Sequence, residues 1–456
     1  MTMPLIRQSL TRRMLLLGAA GSAVALSACA PGSNTPATQA PAPAGSVGTD
    51  IGKLGQITLK VWDQEVRGGQ KQQLDELTAA FQAKYPNVKV ERTSRSFDDL
   101  KKTVALALSG ADVPDVVQVN NARGDMGEFV KAGQLLDLGA YAAAYGWESR
   151  FPASVLSKMR YSPDGKTFGE GSLYGLPQTG EIVGVFYSKK RLAQIGGAVP
   201  TTWDEYLTLL DKAKDAGLQP MVLGNLQKWP ALHVFGPLQA HFVDPEAIVK
   251  LGMGNAGASW TDEANTKVME TFKAWADKKY FGDSPNGLDY DPAWTEFTKG
   301  TGVFLPGGSW LAPDMEKSMG EDLGFFAPPP AVNGKLATTG GTGIPFSVPA
   351  KAKNPDAAAA YIEFITSAEA MTTIAKNEAM PVLRTKELAP ASGVNKDIYE
   401  AFDKVSREGM LLPYLDYATA SFADTAGNGL QELIGGQKSA AEVLASFQDD
   451  YAKATG

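Results

Sequence analysis

Between residues 57 and 119 the hydrophobic pattern switches back and forth between the period of a strand and that of a helix, and this constrains the fold more than any other feature. Ile57-Thr58-Leu59-Lys60-Val61-Trp62 alternates as a half-buried strand does. Residues 70–85 then place Leu74, Leu77, Phe81 and Tyr85 on one helical face, and Pro86-Asn87 stops the helix. Val88-Lys89-Val90-Glu91 is a second short strand, and residues 98–109 are a second helix with Leu100, Val104 and Leu108 in one stripe. A third strand, 113–119, runs into the polar turn Asn120-Asn121. Strands alternating with helices predict an α/β unit with a largely parallel sheet. Ligands of such sheets bind beyond the carboxyl ends of the strands, which makes Trp62, Asp63, Asn120 and Asn121 candidates for a binding rim. Core packing is an alternative for Trp62, and helix capping for the two asparagines.

The rest of the chain continues in this style without repeating the sequence. Residues 183–187 form a strand, and Thr201 or Thr202 can cap a helix whose first turn holds Asp204 and Glu205. Residues 220–223 are a short strand before the Gly224-Asn225 turn. Helices are predicted over 264–278, 357–365, 367–376, 422–433 and 440–447, and a helix end leading into a short strand over 297–305. Trp203 and Trp275 have apolar neighbours at helical spacing and are assigned to the core.

At the other end, Arg12-Arg13 precedes an apolar run, 14–26, that closes in Leu26-Ser27-Ala28-Cys29. The run is too short to span a hydrocarbon core of about 30 Å and has the form of an export signal, residues 1–28. The tetrapeptide resembles a bacterial lipobox, with Cys29 as the lipidated first residue of the mature chain, and the arginine pair loosely resembles a twin-arginine motif. Residues 29–54 are expected to be the lipidated terminus and a disordered tether, because Pro, Ala, Gly, Ser and Thr cannot repay the entropy of ordering. Cys29 is the one cysteine of the chain, which excludes an intramolecular disulfide, and its lipidation would consume the thiol and leave no cysteine nucleophile or thiolate metal site. The roughly 400 residues that follow exceed what one core usually supports, so two lobes are expected. The formal charge of −7 becomes about −10 without the signal's three arginines, and no basic, aromatic-interleaved patch stands against it; a nucleic-acid partner is disfavoured.

Several segments in this order resemble the extracellular solute-binding lipoproteins of ABC importers, in the branch that binds sugars and oligosaccharides and includes maltose-binding-protein-like members. They are Ser109-Gly110-Ala111-Asp112-Val113-Pro114-Asp115-Val116, Tyr174-Gly175-Leu176-Pro177, Phe186-Tyr187-Ser188-Lys189-Lys190 and Pro200-Thr201-Thr202-Trp203-Asp204-Glu205. Phe304-Leu305-Pro306-Gly307-Gly308-Ser309-Trp310 and Lys353-Asn354-Pro355-Asp356-Ala357-Ala358, leading to Phe364-Ile365-Thr366-Ser367, complete the set. The resemblance covers residues 55–450. It departs at Lys299-Gly300-Thr301-Gly302-Val303-Phe304, where the family usually has a Gly-Lys-Ala-Ala-Met type stretch, and at Phe186-Tyr187-Ser188, where Tyr-Asn is common.

The resemblance implies an α/β, two-lobed periplasmic-binding-protein-like fold with discontinuous lobes joined by a hinge. Lobe 1 would comprise 55–181 and 343–382, and lobe 2 would comprise 182–342 and 383–456. It also implies a sugar or oligosaccharide ligand, the transmembrane subunits of an ABC permease as partners, a membrane anchor through Cys29, and a monomer placed outside the cytoplasm.

A sugar site needs flat aromatic faces and polar groups that pair hydroxyls once water is excluded. The chain has 8 Trp and 14 Tyr, several in polar turns. Trp310 follows three small residues and is the leading candidate; Lys228 and Trp229 follow the Gly224-Asn225 turn. Glu181 sits at a predicted crossing between lobes, and Gly341 lies in the Gly-Gly-Thr-Gly stretch that permits close backbone approach. Arg384, Tyr414 and Asp416 are later candidates, with Tyr417 beside them.

No Gly-x-Ser-x-Gly elbow is present, and His233 and His241, the two histidines, stand eight apart, outside the common zinc spacings. No catalytic residue, metal or cofactor is therefore expected. A secreted glycoside hydrolase is the first alternative, because its two carboxylates leave no sequence motif. A surface binding protein without a transport role is the second.

Overall fold

In the computed structural model, which describes residues 47–455, the first predicted strand is Ile57–Asp63, with Leu59, Val61 and Asp63 turned inward. It pairs in parallel with Val88–Ser94, from Ile57 opposite Val88 to Asp63 opposite Ser94. On its other side it pairs in parallel with Val116–Gln118, which in turn takes Phe346–Ser347 as an antiparallel edge. The predicted third strand, 113–119, is thus reduced to three residues. Helices Gly68–Lys84, Phe97–Ser109 and Pro355–Ile365 pack around this sheet. Its core joins Leu59, Phe81, Trp147 and Leu176 to Phe346, Tyr361 and Met371, so the first lobe is built from two distant stretches of chain.

Asp115 is the clasp between those stretches. Its carboxylate is 3% exposed. It accepts from the Lys60 amide (3.0 Å), from the Lys353 and Asn354 amides (3.1 and 3.0 Å) and from the Asn354 side chain (3.3 Å). Several N–H donors converging on one ionised acceptor make a buried charge tolerable without a cation.

The second lobe is organised around the nine-residue strand Gly180–Ser188. Phe304–Gly308 pairs antiparallel along one side; Ala337–Thr342 and then Leu323–Phe326 pair antiparallel along the other. Met410–Leu412 adds a parallel edge to Ala337–Thr342. The sheet is therefore mainly antiparallel, unlike that of the first lobe. The predicted strand 220–223 is a single bridge, Met221 to Phe304. Trp203 and Trp275 are buried, as their spacing implies. Thr202 and Glu205 close a reciprocal capping box at the start of helix Trp203–Asp215. Helix Leu232–Phe242 has no counterpart in the sequence reading, because it is apolar nearly all round and holds Pro237, leaving no one-sided stripe to detect.

Three backbone segments lie side by side where the lobes meet. Gly180, Glu181 and Ile182 face Thr342, Gly341 and Gly340 in register. The Gly180 amide donates to Met380 O (2.9 Å), and the Val382 amide donates to Gln178 O (3.0 Å). The export signal, Cys29 and the first part of the expected tether lie outside the described residues. The ordered body begins before residue 55: Ile51 is 1% exposed within the first core, and the Asn87 side chain donates to its carbonyl (2.9 Å).

Replacing Asp115 with Ala strands four partly buried donors at once, three backbone amides and the Asn354 side chain. A loss of about 3 kcal/mol in unfolding free energy is expected in urea titration; a loss under about 0.5 kcal/mol, in the range of ordinary surface substitutions, would remove Asp115 from this role.

Candidate functional site

The rim of the first sheet is fixed by its own side chains. Asp63 is fully buried, ion-paired with Arg92 (2.9 Å), and accepts the Glu65 amide (3.0 Å). Gln118 accepts the Gln64 amide (2.7 Å) and donates to Glu65 Oε1 (2.8 Å), which stitches the carboxyl ends of two neighbouring strands together. The turn 64–67 and the start of helix Gly68–Lys84 consequently present Gln64, Arg67 and Gln70 toward the second lobe. Between the lobes lies a cleft enclosing about 710 Å³ of empty space, part of it open to solvent.

An aromatic wall runs along the cleft. The ring centroids of Trp229 and Tyr290 are 4.5 Å apart, those of Trp229 and His233 5.1 Å, of His233 and Trp310 5.3 Å, and of His233 and Tyr414 5.8 Å. Phe97 approaches Trp229 edge-on from the first lobe at 6.3 Å. The Trp310 indole N–H donates to the Tyr290 hydroxyl (2.8 Å), which fixes the plane of the ring. A Cβ on Gly308 would overlap that ring, so the small residues ahead of Trp310 make room for its side chain to fold back over the strand.

Among the aromatics stand carboxyl groups that burial has altered. Glu181 is pushed up to about 7 by burial, against the pull of the Tyr414 hydroxyl that donates to it at 3.2 Å. Glu65, behind the rim, is also raised to about 7 by burial, opposed by its bond from Gln118. Burial raises Asp416 to about 6 against the attraction of Lys101. His233 is pressed down to about 3 by burial and is neutral at ordinary pH.

Of the residues singled out in the sequence, Asn120, Glu181, Trp229, Trp310, Tyr414, Asp416 and Tyr417 line this one cleft. The others are placed elsewhere. Trp62 lies flat against the Arg95 guanidinium, 4.2 Å from ring centre to Cζ. Asp63 is spent on Arg92. Asn121 is buried, donating to Lys158 O (2.9 Å) and accepting from the Tyr417 hydroxyl (2.7 Å), so it anchors an aromatic of the cleft instead of lining it. Lys228 reaches away to Asn428 (2.6 Å) from a left-handed backbone, φ +71°. Arg384 is tied to Glu387 and to Ala368 O (2.8 Å) on the outside of the first lobe. Gly341 adopts φ +142° beside Glu181, and the Lys158 ammonium occupies the place a side chain would take.

The lining also includes residues that sequence reasoning passed over: Gln64, Arg67, Gln70, Phe97, His233 and Thr342. The rule that placed the rim after the first strand reaches Gln64 and Arg67 if carried one to four residues beyond Asp63. His233 carries no such signal, sitting in an apolar helix where a packed imidazole is the ordinary reading.

Comparison with known proteins agrees with this architecture. Residues 68–372, more than half of the chain, match the family described as bacterial extracellular solute-binding proteins. An uncharacterised ABC transporter extracellular-binding protein of Pyrococcus horikoshii is 25% identical over 96% of both chains. A multiple sugar-binding protein of Streptococcus mutans is 23% identical over 69% of this chain and 73% of its own. Among solved structures, a chitin oligosaccharide binding protein superposes with a TM-score of 0.74 at 22% identity, covering 87% of this chain and 98% of that one. That likeness establishes the two-lobed fold.

The raised carboxyl of Glu181 gives a stability signature. Its folded value of about 7 stands above the ordinary 4.5. The fold therefore disfavours the ionised form, and the corresponding stability is whole below about pH 4.5 and is lost as pH rises through about 7. The melting temperature of the protein relative to its Glu181→Gln variant is expected to fall across that interval. A constant difference would show that Glu181 titrates normally.

Proposed function

Because this chain belongs to the family of bacterial extracellular solute-binding proteins, we propose that its solute is a sugar or oligosaccharide, captured in the cleft and handed to the transmembrane subunits of an ABC permease. The observation that carries this reading is the composition of the cleft. Trp229, Trp310 and Tyr414 offer apolar faces for the C–H surface of a sugar ring, while Gln64, Asn120, Glu181 and Asp416 offer hydrogen-bond partners for its hydroxyls. Two relatives with sugar or oligosaccharide in their names support the choice of solute, and the ABC transporter designation of the archaeal relative supports the partner.

Capture follows from the lobes' arrangement. Solute held on one lobe is desolvated when the lobes close about the paired segments at 178–182, 340–343 and 380–382, and the permease reads the closed form. Selectivity comes from hydroxyl pairing, since each polar group buried without a partner costs about 1–3 kcal/mol. The family's extracellular placement fits an exported chain. We extend the proposal to removal of residues 1–28, diacylglyceryl attachment at Cys29 and action as an anchored monomer.

Thermal unfolding against a panel of mono-, di- and oligosaccharides tests the reading. A concentration-dependent rise is expected for one group of sugars, following ligand linkage, together with a change in tryptophan emission as Trp229 and Trp310 are covered. Trp310→Ala is expected to weaken that sugar by about a hundredfold, on the scale of a buried aromatic contact. No shift for any sugar, with the protein folded, would reject sugar capture, and steady release of product from aryl glycosides would favour the hydrolase instead.

A further inference from the structure

One end of the cleft narrows into a recess shared by Gln70, Glu181 and Trp310, between the start of helix Gly68–Lys84 and the crossing at Thr179–Glu181. Besides the hydroxyls of Thr179 and Ser309, it holds oxygens that only accept. Gln70 is 6% exposed, and its amide oxygen has no hydrogen-bond partner among the described residues. Glu181 receives one bond, at Oε2 from Tyr414, and the rest of its carboxylate is unclaimed. Behind it, Glu65 Oε2 is also buried and unpartnered. The corner thus collects acceptors that lack donors.

The nearby cations are committed elsewhere. Arg67 is paired with Asp291 (2.9 Å), Arg92 with Asp63 (2.9 Å) and with Asp75, and Lys101 with Asp125 (3.1 Å). The Lys158 ammonium donates to Gly340 O (2.8 Å). Among the described residues, Glu65 and Glu181 have no ion-pair partner. A buried carboxylate (Glu65) beside a half-buried one (Glu181), neither with an ion-pair partner, is costly to ionise, and the shortfall is one positive charge with several N–H donors.

A sugar hydroxyl supplies one donor and no charge, whereas an ammonium supplies three donors, no acceptor and the missing charge. The indole of Trp310 adds a face that attracts a cation. We propose that this recess receives an ammonium group, so that the captured solute is an amino sugar with its amine unmodified, held by Glu181, Gln70 and the Trp310 ring. The inference rests on the sugar-capture reading and narrows its substrate class.

The test compares matched sugars that differ at one substituent. Purified full-length protein is titrated by calorimetry near pH 7 with the β-linked disaccharides and the monosaccharides of glucosamine, N-acetylglucosamine and glucose. The amine is expected to bind about a hundredfold more tightly than its hydroxyl counterpart, to weaken as salt is raised, and to lose that preference in Glu181→Gln. The folded state of the variant is checked by its unfolding transition. Equal or tighter binding of the hydroxyl or N-acetyl sugar overturns the amine inference while leaving sugar capture standing. A preference that survives Glu181→Gln overturns the assignment to this recess. Binding of none of the six sugars by folded protein counts against the amine inference and, with an equally silent wider sugar panel, against sugar capture as well.

Discussion

The pairing of Gly180–Ile182 with Gly340–Thr342 is the constraint on which the cleft depends. Two crossing segments run antiparallel and share hydrogen bonds, so neither lobe can turn without the same few residues yielding. Glu181 and Thr342 lie in that pairing and also line the cleft. Rotation about the crossing and the geometry of the binding surface are therefore mechanically one event. Glycine at 340 and 341 is what permits it: a side chain at 340 would press on the Glu181 carbonyl, and one at 341 on the Lys158 ammonium.

Burial explains the chemistry of the cleft. The same aromatic wall that would cover a solute removes water from Glu181, Asp416 and His233, and it moves all three toward their neutral forms. A tightly packed polar lining of this kind is held ready at a cost in stability, which a solute with complementary groups can offset on binding. Neutral His233 then acts as an aromatic spacer between Trp310, Trp229 and Tyr414.

Much of this was written in local pattern. The first lobe's strands and helices follow from periodicity because each element has one buried face. Trp310 is legible because a large aromatic after Gly-Gly-Ser needs space that only small neighbours leave. What local pattern does not carry is the partner of a polar side chain. Asp63 and Asn121 occupy the ends of the right strands, yet Arg92 and Tyr417, brought in by the fold, claim them. Arg384 reads as a free cation until Glu387 and the Ala368 carbonyl are seen beside it. The second sheet is mainly antiparallel although long helical segments separate its strands, and no short window of sequence records the direction in which each strand returns.

The clasp at Asp115 bears on how the molecule is made. Its carboxylate meets the amides of Lys353 and Asn354 across 238 and 239 residues of sequence. During synthesis from the N-terminus, the first lobe's sheet lacks its edge strand and its clasp until the whole intervening lobe has emerged. Its early strands must then wait with unpaired edges, a state in which chains aggregate. The delay has a consequence of its own: the first lobe cannot lock before the polypeptide is nearly complete, so the chain stays open and pliable through most of its synthesis.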